Sequence, residues 1–265
     1  MLWFEDQRIP PGKWPFLRTT YIGLSNLEES LKDSVDLSEG NEAITITGCL
    51  NAYRQAILIR TLDLAQSVVV SWNAGQIIGS VICARALLET LAVFHSLLNR
   101  AQAEAEYGNW EAIGKLVDGY AFSKSPSARN NRKRDPDEPP PVGRLVRTFI
   151  EERYPGNEKF WDQICEEAHP NGERMMSFGG VLQEGRYDSH VIESNETGLF
   201  PAIYNCIYSC CWLNSTMLDF DILCEHIRTG APLSDDHHLI QDRVLIDRVV
   251  ESVLNDENLT EYFSD

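Results

Sequence analysis

The chain has 265 residues, 43% of them hydrophobic, which is enough to bury a substantial core. Its 23 Lys and Arg against 40 Asp and Glu leave a net charge of −17, a field that opposes non-specific binding to nucleic acid or an anionic membrane and confines any RNA contact to a local basic patch. Seven cysteines (Cys49, Cys83, Cys165, Cys206, Cys210, Cys211 and Cys224), an odd number set mostly in apolar helical runs, read as free buried thiols of a reducing, cytoplasmic compartment.

The opening MLWFEDQRIPPG lacks a basic flank followed by an apolar signal segment. With Pro10, Pro11 and Pro15 among aromatics, residues 1–20 read as an extended arm packed on the body, and 21–38 as a short helix around Leu24, Leu27 and Leu31. Gly40 ends this first unit, 1–40. A helical pattern then runs from Glu42 to Trp72 through Ile46, Leu50, Ile57, Leu58, Leu62, Leu64 and Val68. The break Asn73-Ala74-Gly75 leads into a second helix, 76–101, predicted to pair with the first in antiparallel fashion as the spine of a bundle.

That second helix organises the chain. Ile77 to Leu98 is apolar almost all round and carries two formal charges, Arg85 and Glu89, four residues apart on one face. An all-apolar helix is normally buried, so the pair is expected inside or lining a cleft, each charge supplying the other's partner. Arg before Glu is the less favourable order for an exposed helical pair, which points to a further group engaging them. A structural ion pair fixing helix register is the plainer reading.

After Arg100, AQAEAEYGNWEAIGKLVDGYAF reads as a more exposed helix with Trp110, Ile113, Leu116, Val117 and Tyr120 inward. Lys124 to Arg134, KSPSARNNRKR, then holds five basic residues and no acid, followed by DPDEPPP. A segment so charged and proline-rich forms a surface loop, 124–141. It is either a basic arm for phosphate-rich partners, with Arg129, Arg132, Lys133 and Arg134 as binding residues, or a solvated loop whose charge the following acids offset.

Helical patterning resumes in GRLVRTFIEERY, stops near Pro155-Gly156 and restarts in NEKFWDQICEEAHPN, where Pro170 disfavours the helical conformation at His169. Residues 172–198 read as an irregular insertion with a possible hairpin near Ser177 to Val191. A long helix is expected from about Leu199 to Arg228, another from His238 to Leu254, and an acidic tail over 255–265. The uncharged stretches Ser67–Ala84 and Leu199–Leu218 approach membrane-span length, but their Asn and Ser with Gly, Gln or Pro favour core helices and no membrane role.

The combination ARALLET on a buried helix with EEAHPN about eighty residues later resembles uncharacterised bacterial helical-bundle proteins, some of them distantly similar to the HEPN superfamily. The resemblance covers Ala43 to Asp221. It implies a metal-independent ribonuclease, or a related phosphodiester-cleaving enzyme of a bacterial defence or toxin system, acting at a dimer interface through an Arg and a His separated by four to six residues. The nearest approach here, Arg186-Tyr-Asp-Ser-His190, is one residue short. In a dispersed version His169 takes the proton of a ribose hydroxyl, Arg85 neutralises developing phosphate charge, Glu89 orients one of them and Asn171 adds a donor. For His169 alone, a helix-terminal histidine offsetting the negative end of the helix dipole is the plainer reading.

Cys165 with His169, and Cys206 with Cys210, are i,i+4 pairs that two facing helices would have to turn towards one zinc ion, but Cys-x-x-Cys pairs are absent and no metal or other cofactor is expected. Neither a glycine-rich phosphate loop nor a GxSxG or HExxH motif occurs. The expectation is therefore an all-α antiparallel bundle over 41–254, acting as a cytoplasmic binding or regulatory module. A homodimer and an unidentified protein or small-molecule partner are expected, with RNA a partner only in the ribonuclease reading.

Overall fold

The structure, a computed structural model, describes Phe4 and residues 14–122, 136–156, 159–169, 181–183, 186–188 and 192–230. It is an all-α bundle. The helices are α1 (Trp14–Glu29), α2 (Ile46–Asn73), α3 (Ile77–Glu106), α4 (Trp110–Phe122), α5 (Val142–Arg153), α6 (Lys159–Ala168), α7 (Ile192–Tyr208) and α8 (Cys210–Thr229). Between α6 and α7 two three-residue strands, β1 (Val181–Gln183) and β2 (Arg186–Asp188), pair antiparallel with Val181 opposite Asp188.

α2 and α3 form the expected antiparallel spine. The Thr45 hydroxyl accepts the Gly48 N–H at 2.9 Å, satisfying one of the free donors that open α2. At the other end Gly75 takes φ +70°, a left-handed conformation suited to glycine, and the Gln76 N–H bonds back to the Ser71 carbonyl at 2.8 Å. The chain reverses there within three residues. Register follows from cross-helix bonds: the Ser80 hydroxyl donates to the Val68 carbonyl at 3.0 Å, and Arg60 Nε to the Thr90 hydroxyl at 3.0 Å.

Because α3 is apolar on most of its circumference it is surrounded, packing on α2, α4, α5, α6, α7 and α8. Trp72, Phe94, Phe200 and Phe220 are fully buried in one continuous core. Phe4 joins it, edge-on to Trp72 at 6.1 Å and to Phe200 at 5.4 Å, so this residue of the N-terminal arm does pack on the body.

Several boundaries differ from the sequence reading. The arm does not extend to residue 20, since α1 starts at Trp14. Pro15 falls in its first turn, where a missing N–H leaves no bond unmade. The helix expected after Arg100 is two: α3 runs on to Glu106, then Gly108 at φ +66° breaks the chain before α4. The long helix expected over 199–228 begins at Ile192 and divides at Ser209, whose hydroxyl bonds the Asn205 carbonyl at 2.8 Å. Helix 238–254 and the tail lie outside the described residues.

Candidate functional site

Arg85 and Glu89 are joined as their spacing suggests, Nε to Oε1 at 3.0 Å. Their side chains are 28% and 31% exposed, so the pair lies half-buried along the α3–α6 seam rather than enclosed in the core. The reason is local: Ile78, Ile82, Arg85 and Glu89 share one stripe of α3, and Ile78 and Ile82 on it are exposed. Arg85 also lays its guanidinium over the buried indole of Trp161 on α6, 5.7 Å from the ring centroid. Trp161 is the further group that the Arg-before-Glu order called for.

One turn on from Trp161, Cys165 faces the same pair. Burial pushes its thiol up, while the Arg85 charge acts in the opposite sense. Nearby, the exposed ion pair Arg147–Asp162 at 3.5 Å links α5 to α6. His169 is the next residue of that α6 face. It is exposed at the helix C-terminus, its backbone N–H bonded to the Cys165 carbonyl at 3.1 Å. No hydrogen bond or ion pair among the described residues joins it to Arg85 or Glu89. Asn171, Arg129, Arg132, Lys133 and Arg134 lie outside the described residues, as does His190.

All seven cysteines are free thiols. Burial pushes the Cys206 and Cys210 thiols up. Among the described residues no group of three or more His, Cys, Asp and Glu is placed to hold a metal ion.

A second polar cluster escaped the sequence reading. His95 is buried on α3, and its Nε2 donates to Glu152 Oε2 of α5 at 2.6 Å. Asn99, one turn along α3, lies 3.2 Å from the same nitrogen and donates to the Glu152 carboxylate as well. The imidazole meets Phe149 edge-on at 5.4 Å, and its Nδ1 is buried without a hydrogen-bond partner among the described residues. Glu152 is held below the usual carboxylate range, chiefly by the His95 hydrogen bond, against a smaller opposing desolvation. The available signal was a histidine in the middle of an apolar helix. Its partner, 57 residues away on another helix, leaves no local spacing to read.

The remaining prominent feature is apolar. Ile59 (55% exposed) and Val70 (44%) on α2, with Ile78 (49%) and Ile82 (51%) on α3, lie along the outer side of the hairpin. No family model, curated protein or solved structure matches the chain.

Proposed function

We propose that this protein is a non-catalytic binding module of the helical-bundle type, working in a reducing, cytoplasmic compartment. The observation that carries the reading is the commitment of the charged groups. Arg85 gives its Nε to Glu89 and its face to Trp161, while His169 stands at an exposed helix end and bonds through its backbone. A phosphodiester-cleaving site needs a base, a cation and an orienting group converging on one reacting atom. Binding, by contrast, needs an accessible apolar surface, and the outer face of α2 and α3 supplies one.

The compartment is supported by seven free thiols, which oxidising surroundings would tend to pair. α3 is the one helix among the described residues long and apolar enough to cross a membrane, yet 56% of its most apolar 18-residue stretch is buried inside the protein, as suits a core helix.

RNA cleavage is the test. Single-stranded and structured RNAs incubated with the full chain in chelator are expected to stay intact, for the parent and for Arg85→Met and His169→Ala alike. Cleavage by the parent that either substitution abolishes would establish the ribonuclease instead.

A further inference from the structure

Two stripes make up the outer face of the spine. On α2, Ile59, Asp63, Gln66 and Val70 follow one another at helical spacing and are all exposed; on α3, Ile78 and Ile82 do the same. The register set by Ser80 on Val68 and Arg60 on Thr90 brings Val70 level with Ile78 and Ile82 level with Ser67. Both stripes point away from the core side of the hairpin, so they form one surface. Between them lie small, half-buried residues: Ser67, Gly79, Cys83 and Ala86. Gly79 sits so close to Ser71 that an added Cβ would press on its hydroxyl at 3.2 Å.

The charge distribution decides which partner fits. Between Ile46 and Glu106 four bases, Arg54, Arg60, Arg85 and Arg100, balance four acids, Asp63, Glu89, Glu104 and Glu106. The whole net charge of −17 therefore belongs to the rest of the chain. Two copies meeting on any acidic face would repel, whereas two meeting on this hairpin bring together surfaces of no net charge, largely aliphatic with Asp63 and Gln66 among them.

We propose that the outer face of the α2–α3 hairpin is a self-association surface, on which a second copy of this chain docks its own hairpin about a two-fold axis. This names the partner for the binding-module reading and rests on it. From Ala56 to Asn73 the face is about 25 Å long, and two helices side by side are about 20 Å wide, giving about 500 Å² per copy. That is below the ~800 Å² of a standard interface, so the dimer is reversible and its population depends on concentration.

Sedimentation equilibrium of the full chain, from about 1 to about 100 µM, tests it. The mass is expected to climb from 30.0 kDa towards twice that value, and to climb further in about 0.5 M NaCl as the acids are screened. Ile82→Glu, and independently Val70→Glu, place an unpaired charge in the contact and should weaken the dimer about tenfold or more without moving the thermal midpoint of a dilute, monomeric sample, since both side chains are exposed. Leu218→Glu, equally exposed but on α8, should leave the dimer unchanged. A parent protein monomeric throughout the range would overturn the proposal, and so would a dimer that survives both substitutions or dissolves in salt. A monomer that sediments with zwitterionic lipid vesicles would overturn it in favour of a membrane surface. None of these results bears on the RNA-cleavage test, so the two readings fail separately.

Discussion

At the scale of single residues, the contrast between Arg85 and His95 shows what spacing can reveal. Arg85 and Glu89 are four residues apart, and the geometry of a helix then suffices to pair them. His95 draws its partners from α5 as well as from its own helix, so only the folded chain assembles the cluster. Its consequence is a pH dependence whose sign is fixed. The folded protein holds Glu152 below 4.5, the ordinary value for a glutamate, so the group contributes stability above about pH 4.5 and loses it as pH falls through the lower folded value. Glu152 is 45% exposed, so solvent screening keeps the contribution to no more than about 1 kcal/mol. Urea denaturation of the parent and of Glu152→Gln should show the parent slightly more stable at pH 6 and the difference vanishing by about pH 3. A gap that widened on acidification would mean the His95 bond does not favour the carboxylate.

At the scale of elements, what the sequence made legible was governed by periodicity, and what it hid was governed by contact. The spine was expected over 42–72 and 76–101 and is found at Ile46–Asn73 and Ile77–Glu106, because long apolar repeats bounded by Asn73-Ala74-Gly75 admit few other readings. α1 was misplaced because prolines outweighed the apolar repeat of Leu17, Leu24 and Leu27, all buried in the core. The division at Ser209 falls within an otherwise helical run, where the Ser209 hydroxyl bonds back to the Asn205 carbonyl, and composition does not announce it. α4 gives a direct trial of contact against propensity. Its two interior glycines look alike in sequence, yet an added Cβ at Gly119 would collide with the Asp137 carbonyl, while at Gly114 it would meet only Ile46 at 3.9 Å. The segment beside Gly119 cannot easily retreat, because Arg100 holds the Glu138 carbonyl at 3.2 Å. Gly119→Ala should therefore lower stability by about 1–3 kcal/mol, and Gly114→Ala should raise it by about 0.5–1 kcal/mol. Thermal or urea unfolding of the two variants distinguishes them by sign, and equal effects would mean that the 136–138 segment is not held against α4.

For the whole molecule, the decisive quantity is where the charge resides. The spine is neutral, so the excess of acids lies on the rest of the chain. Two effects oppose each other there. Ion pairs such as Lys115–Glu111 at 2.7 Å and Arg228–Glu225 at 2.7 Å attract, but they are exposed, so solvent and salt screen them and each contributes little. Mutual repulsion among unbalanced acids acts over every pair within a screening length, about 10 Å at 0.1 M salt, and accumulates as the chain is compacted. With 40 acids against 23 bases the repulsion has the greater number of members, so it should dominate. Added salt is then stabilising: the thermal midpoint of a dilute, monomeric sample should rise by several degrees between low and near-physiological NaCl. A preparation dilute enough to exclude association is essential, because self-association on the neutral face would raise the midpoint in the same direction. A midpoint that fell with salt would show that the surface ion pairs outweigh the repulsion, and the charge argument for where a second copy can dock would lose its physical basis.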